Sequence, residues 1–480
     1  MNNRSLDAES CYQAVLSHDS RFDGVFFVGV STTGIYCRTI CPARTPRLES
    51  CTFHPSAAAA ERAGFRPCLR CRPELAPGNA QVDMVSRLAA DVAGRIEDGA
   101  LTGISVAELA VEMGVSDRHL RRVLESELGV SPVELAQTQR LLLAKRLLTD
   151  TNLPVIEVAY ASGFSSVTRF NALFKARYHL NPTSLRKTRS AQVPQQSLFC
   201  DLAYRPPFDW SSLLQFLGAR AINGVEEVQG NRYMRTVAVG ASKGWIAVEQ
   251  SQSHNRLRVE LSVSVAPALS QVLAQVKRLF DLAAEPNQIA AHLGELAAAH
   301  PGLRVPGAFD GFELALRAIL GQLVSVKAAT TLTGRFAAAF GEPVSTPFEA
   351  LSHISPTAGR VATLEVEEIT QLGITRSKAT AIIGIARAVT TGEIKLVPGT
   401  GAEEKIMRLK ELPGIGEWTA QYIAMRALSW PDAFPGTDLG IRKALGMMQP
   451  KAIEELAQSW RPWRSYAAMH LWKSLEDQQR

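Results

Sequence analysis

Leu412-Pro413-Gly414-Ile415-Gly416-Glu417-Trp418-Thr419-Ala420, with Asp438 eighteen residues further on, decides how this chain is read. Pro-Gly-x-Gly predicts a tight turn, because glycine alone enters positive φ without steric cost. Helical spacing runs into the turn from about Ala402 and out of it from Thr419. Two helices joined this way expose backbone N–H groups at the start of the second, a setting suited to a phosphate. A carboxylate placed just downstream then lies beside whatever the turn grips. An ordinary interhelical turn with a solvated Asp fits the glycine pattern equally well, so the flanking sequence has to decide.

The chain has 480 residues, 46% hydrophobic and 20% charged, which predicts a globular protein of about three or four domains. Neither a signal-like apolar run near Met1 nor a membrane-length stretch is present, so a cytoplasmic protein with no membrane partner is expected. The net charge of +6 is mild, but it is unevenly spread. Cys37 to Arg72 carries a net +5 and Arg140 to Arg189 a net +7. Such concentration is an electrostatic footprint for phosphates, or else a solvated basic face.

Residues 1–78 mix strand-like runs such as Val25–Val30 with loops, and 80–188 read as nearly all helical. A polar linker covers 189–197. Strand-like alternation at Arg232–Val239, Trp245–Gln250 and Arg256–Val263 places a small α+β unit at 198–285, and 286–480 is again mostly helical. Val106-Ala-Glu-Leu-Ala-Val-Glu-Met-Gly-Val-Ser116 recurs as Val155-Ile-Glu-Val-Ala-Tyr-Ala-Ser-Gly-Phe-Ser165. In each copy the glycine makes a turn and the serine is placed to cap the next helix.

Four of the seven cysteines form two short pairs, Cys37-x3-Cys41 and Cys68-x2-Cys71. This spacing predicts one tetrahedral Zn2+ held by four thiolates. Cys11, Cys51 and Cys200 lack partners at ligand spacing and read as packing or inert thiols.

Three resemblances sit on these motifs. Phe26 to Cys41, with Ala63-Gly-Phe-Arg-Pro-Cys68-x-Arg-Cys71-x-Pro-Glu74, resembles the N-terminal domain of Ada-type alkylation-response proteins. The resemblance implies that Cys37, besides binding zinc, accepts a methyl group from a DNA methylphosphotriester, stoichiometrically and irreversibly. The repeat, with Phe170-x3-Phe174-Lys and Pro182-x3-Arg186 after it, resembles AraC-type regulators with two helix-turn-helix units. Their second helices, about Asp117–Glu127 and Ser166–Tyr178, would then enter successive major grooves. Candidate contacts are His119, Arg121, Arg122, Arg169 and Asn171. RNA polymerase is the further partner that an activator implies.

From Leu198 onward the chain resembles AlkA-type 3-methyladenine DNA glycosylases of the helix-hairpin-helix superfamily. Arg205-Pro-Pro-Phe-Asp-Trp210, Ile319-Leu-Gly-Gln-Leu-Val-Ser-Val326 and Trp460-Arg-Pro-Trp-Arg-Ser-Tyr466 carry that likeness together with the opening motif. The implied architecture is multidomain α+β. It comprises a four-cysteine zinc domain, an all-helical double helix-turn-helix, a TATA-binding-protein-like α+β subdomain and a helical glycosylase domain. Asp438 falls at the family's catalytic aspartate, and Trp418 stands where bifunctional relatives carry the lyase lysine. A tryptophan cannot form a Schiff base, so monofunctional excision of the 3-methyladenine and 7-methylguanine class of bases is implied, leaving an abasic site. Trp418, Tyr422 and Trp472 are the implied walls for a flipped, electron-poor base, and Leu323 the wedge that fills the gap it leaves. Gly414, Gly416 and Thr419 are the implied phosphate grippers. Leu439 departs from the tyrosine usual after the catalytic Asp, which bears on base preference.

The expected protein is a monomer acting on double-stranded DNA, cytoplasmic and nucleoid-associated. Its alternative, from another class, is a transcriptional activator whose glycosylase half is degenerate. Pro-Cys-His-Arg, the signature of an O6-alkylguanine methyltransferase, occurs nowhere, so direct reversal of base methylation is not expected.

Overall fold

The chain divides into two compact units, one formed by residues 1–206 and 253–274 and the other by 207–252 and 275–480. The computed structural model describes residues 7–77, 87–151, 153–185, 197–399 and 401–478. Gly78, Arg186 and the linker through residue 196 lie outside the described residues, whereas Ser197 already pairs in a strand.

In the first unit a four-stranded sheet carries the cysteine pairs. Its order is Cys51–His54, Phe27–Val30, Ile35–Cys37, Arg66–Pro67, with Val28 opposite Cys37. Phe26, Val28 and the helix Ala8–Leu16 build a small core behind it. The helical part of this unit is organised around the long helix Pro132–Asp150, which Ser131 and Glu134 start with a reciprocal capping box. Val106–Glu112 with Asp117–Leu128, and Val155–Ala161 with Val167–Tyr178, form the two helix pairs read from the repeat.

One detail of that repeat is corrected. Ser116 caps the first of the two second helices as expected, but in the other copy Ser166 caps, not Ser165, accepting from the Arg169 N–H at 3.3 Å. The second turn holds one more residue before its helix begins. The extra residue places Phe164 against Phe170, with ring centroids 5.1 Å apart.

A buried carboxyl joins the sheet region to the helices inside this unit. Glu61 accepts from Thr138 Oγ1 at 2.9 Å, from the Tyr36 hydroxyl at 3.1 Å and from that of Tyr178 at 3.5 Å. Burial pushes the Glu61 carboxyl from 4.5 up to about 7, against these hydroxyls and the Arg177 charge. Because the folded state holds this proton more tightly, Glu61 stabilises fully below the ordinary value and progressively less as pH rises toward 7. The expected result is a melting temperature for the first unit that falls between about pH 5 and about pH 8, with up to about 3 kcal/mol at stake. Glu61→Gln keeps an acceptor without the charge and should flatten that slope; an unchanged slope would assign the effect elsewhere.

In the second unit Glu226–Gln229, Arg232–Val239 and Ser242–Gln250 form an antiparallel meander, with Glu226 opposite Arg235 and Arg232 opposite Glu249. A buried network of Arg235 with Glu313 (2.7 Å) and Arg317 with Glu226 (2.8 Å) ties this meander to the helix Gly311–Leu320. Around that helix pack Val326–Phe340, Arg376–Thr390 and Glu417–Arg426. No helix among the described residues is long and apolar enough to cross a membrane.

Candidate functional sites: a four-thiol centre and an indole-held carboxylate

Cys37, Cys41, Cys68 and Cys71 converge so that their Sγ atoms all lie within 4.8 Å of one another. A tetrahedron with Zn–S bonds of about 2.3 Å has edges of about 3.8 Å, so four thiolates so gathered fit one zinc ion. The Arg38 N–H donates to Cys71 Sγ and the Arg70 N–H to Cys68 Sγ, each at 3.4 Å. The Arg38 side chain is buried against Asp23 and donates to the Cys71 carbonyl at 3.2 Å, locking the turn after Cys37. Lys145, from the long helix, is buried against Glu74 at 2.5 Å and donates to the Cys68 carbonyl at 3.2 Å. Of the four thiols, three are buried at 5–8% exposure and Cys37 alone is partly open.

On the helical surface of the same unit, Arg121, Arg122, Arg169 and Asn171 are exposed and His119 is half-buried. Arg121 pairs with Asp117 at 3.0 Å along its own helix, and Arg122 meets His119 Nδ1 at 3.1 Å.

In the second unit the opening motif forms the expected turn between the helices Ala402–Glu411 and Glu417–Arg426. The second helix starts two residues earlier than its spacing suggested, because Gly416 takes an extended N-cap conformation. Gly414 has φ of 86° and packs so closely that a Cβ would stand 2.8 Å from Ala381 Cβ. Trp418 and Tyr422 then share a helix face, their rings stacked 5.2 Å apart at 11°.

Asp438 is the N-cap of the short helix Leu439–Ala444. Its Oδ1 accepts from the Gly440 N–H (2.8 Å), the Ile441 N–H (3.1 Å) and Trp472 Nε1 (2.9 Å), and its Oδ2 from Trp418 Nε1 (2.8 Å). Trp472 comes from the C-terminal helix Arg464–Gln478 and lies 6.3 Å from the Tyr422 ring. The carboxylate, both tryptophans and Tyr422 therefore meet in one place. Leu439 is 55% exposed.

Leu323 stands at φ of 58° with its side chain entirely in solvent, at 104% exposure. Lys378 braces its loop by donating to the carbonyls of Leu320 (2.9 Å) and Gln322 (2.8 Å). Gln322 Nε2 bridges onward to the Gly414 carbonyl (2.9 Å) and to Thr419 Oγ1 (2.8 Å). Thr419 is buried with its hydroxyl oxygen accepting from Gln322, while Gly414 and Gly416 are exposed.

Gln322, Lys378, Phe216, Arg220, Arg426 and Gly440 went unread in the sequence. The Arg220 guanidinium lies 3.7 Å over the Phe216 ring, and Arg426 donates to the Tyr422 hydroxyl at 2.8 Å. Only Gln322, beside Leu323 in a motif already quoted, offered a local signal.

Comparisons with known proteins match this layout segment by segment. Family models match residues 10–74 (metal binding domain of Ada), 109–188 (helix-turn-helix domain), 199–310 (AlkA N-terminal domain) and 316–463 (HhH-GPD superfamily base excision DNA repair protein). The chain is 38% identical to the "Probable bifunctional transcriptional activator/DNA repair enzyme AlkA" of Mycobacterium tuberculosis, over 98% of this chain and 97% of that one. It belongs to that family. DNA-3-methyladenine glycosylase 2 of Escherichia coli is 39% identical over 56% of this chain and 95% of its own. A solved 3-methyladenine DNA-glycosylase from Archaeoglobus fulgidus shares the fold of this half, with a TM-score of 0.51, 20% identity, and 58% of this chain and 98% of that one covered. The fusion of an Ada-type regulator with an AlkA-type glycosylase is the architecture of this chain, and Cys37, Cys41, Cys68 and Cys71 are the ligands of one zinc ion.

Proposed function

We propose that this protein excises alkylated bases of the 3-methyladenine and 7-methylguanine class and also senses alkylation through its zinc-bound thiol. The single observation that supports excision best is the Asp438 carboxylate, held by two indole N–H groups beside stacked aromatic rings. Alkylation makes the base cationic and weakens its bond to the sugar. As the C1′–N bond breaks, positive charge grows on the sugar, and Asp438 stabilises it, orients the water whose oxygen bonds to C1′ and takes up the proton that water sheds. The base leaves neutral. Trp418, Tyr422 and Trp472 hold the flipped ring, Leu323 fills the stack, and Gly414, Gly416 and Thr419 shape the grip on the backbone. A degenerate second half is disfavoured by a carboxylate site this fully assembled.

In the regulator, zinc keeps the cysteines as thiolates at neutral pH. Cys37 Sγ takes the methyl group: the S–C bond forms, the C–O bond of the phosphotriester breaks, and a phosphodiester anion leaves. One negative charge is lost from the DNA-facing surface, so binding strengthens. His119, Arg121, Arg122, Arg169 and Asn171 contact promoter DNA, and the activated protein engages RNA polymerase. We assign the acceptor domain to residues 1–78, the helix-turn-helix domain to 80–188, the linker to 189–196, the α+β subdomain to 197–285 and the glycosylase domain to 286–480. The protein acts as a monomer on nucleoid DNA in the cytoplasm.

The test is incubation of the full chain with methylated duplex DNA. Free 3-methyladenine and 7-methylguanine are expected, with strands that stay intact until alkali opens the abasic sites. Strand cleavage without alkali would overturn the monofunctional reading, and absence of free base would overturn excision.

A further inference from the structure

We infer that Gly440 is a positioning residue of the excision site, because its missing side chain lets Trp472 seat its indole N–H on Asp438. The inference rests on the proposed role of Asp438. A Cβ at position 440 would stand 2.9 Å from Asp438 Oδ1, 3.1 Å from Trp472 Cδ1 and 3.3 Å from Trp472 Nε1. Ordinary carbon contacts are about 3.5–4.0 Å, so an added methyl would displace the indole, the carboxylate or both.

Nothing in the backbone asks for glycine here. Gly440 lies within the helix Leu439–Ala444 and is not among the positive-φ glycines. In such a setting alanine is the better helix former by about 1 kcal/mol. The clearance in front of the indole is therefore the physical reason for a residue that the helix itself disfavours.

Trp472 has little room to retreat. Its ring lies 6.4 Å from Phe216 at 23° and 6.3 Å from Tyr422, and the Arg220 guanidinium covers Phe216 at 3.7 Å. The consequence for Asp438 is directional. A carboxylate offers about four lone-pair sites, two on each oxygen. Oδ1 accepts three donors and is saturated, whereas Oδ2 accepts only Trp418 Nε1 among the hydrogen bonds described. Gly440 and Trp472 together thus fix which oxygen is left to face the sugar and the attacking water, namely Oδ2.

Single-turnover base release from methylated duplex DNA tests this with Gly440→Ala, Trp472→Phe, the double variant and Asp438→Asn. Thermal melts and affinity for an abasic-site duplex are measured alongside. Loss of one charge-assisted hydrogen bond predicts about a tenfold to hundredfold slower release for Gly440→Ala. Trp472→Phe keeps a ring but removes the N–H, and the double variant should be no slower than the slower single variant. Gly440→Ala should melt only slightly lower than the wild type, because the gain of about 1 kcal/mol in helix propensity offsets part of the lost hydrogen bond, and should bind the abasic duplex within about twofold. Wild-type release by Gly440→Ala beside an inert Asp438→Asn overturns this inference and leaves the excision site standing. Multiplicative slowing in the double variant also overturns it, because Gly440 would then act through something other than the Trp472 donor. An active Asp438→Asn overturns the site assignment itself.

Discussion

Asp438→Asn is expected to slow single-turnover base release roughly a thousandfold while leaving the fold and duplex binding in place. The magnitude follows from removing a preorganised charge that faces a developing opposite one, which costs about a hundredfold to a thousandfold in comparable sites. Asparagine is as good an N-cap as aspartate, so the donors on Oδ1, from Gly440, Ile441 and Trp472, keep their acceptor. The change falls on the other side. The amide –NH2 replaces Oδ2 and faces the Trp418 N–H, now 2.8 Å from a donor instead of an acceptor. One charge-assisted hydrogen bond is lost, worth about 1.5–3 kcal/mol, which a thermal melt of the second unit will register as a modest fall. Release of 3-methyladenine is the decisive readout. A variant that melts near the wild type, binds the abasic duplex and yet releases base at the wild-type rate would remove Asp438 from the chemistry.

Much of this organisation was legible in the sequence, for a physical reason that differs by region. Strands matched closely: Arg232–Val239 has the ends its β-branched and aromatic run predicts, and it is buried on both faces from Tyr233 to Val237. The hairpin was legible because positive φ at Gly414 excludes most other residues. Helix starts were less legible, since the cap is chosen among neighbouring candidates by tertiary fit. Ser166 won over Ser165, and Gly416 began its helix two residues ahead of the apolar spacing. At the excision site the sequence named the carboxylate and its aromatic neighbours but not what holds them. Phe216, Lys378 and Gly440 act through contacts with segments far along the chain, and Arg220 acts by covering Phe216, so no local pattern marks them as part of the site. Thr419 shows the reverse: its place in the motif is legible, but only the structure reveals that its side chain is buried and its hydroxyl oxygen accepts from Gln322.

Cys37→Ser should reduce methyl uptake from methylphosphotriester DNA from one per chain to none, as read by intact-protein mass. Four thiols share the centre, so the choice among them needs an argument. Cys41, Cys68 and Cys71 are buried at 5–8% exposure, which denies an in-line approach to a methyl group held on a DNA backbone. Two of them, Cys68 and Cys71, also accept backbone N–H bonds that draw charge from sulfur and blunt its attack. Cys37 is the partly open member, at the end of the strand Ile35–Cys37, and the buried Arg38–Asp23 pair anchors the residue after it. Serine is almost wholly protonated at neutral pH, so it neither attacks nor replaces a thiolate ligand well. Cys11→Ser is the matched control: burial and the Asp7 charge push the Cys11 thiol up to about 11, leaving it protonated and inert, so uptake should stay at one per chain. Zinc content measured on both variants separates loss of the acceptor from loss of the metal. Methyl found on a peptide bearing Cys41, Cys68 or Cys71 would transfer the role to that residue. With Cys37 as acceptor, the gain in DNA affinity after exposure to methylated DNA should also vanish in Cys37→Ser. That gain should shrink in the wild type as salt is raised, since it comes from relieving repulsion between a thiolate centre and phosphates.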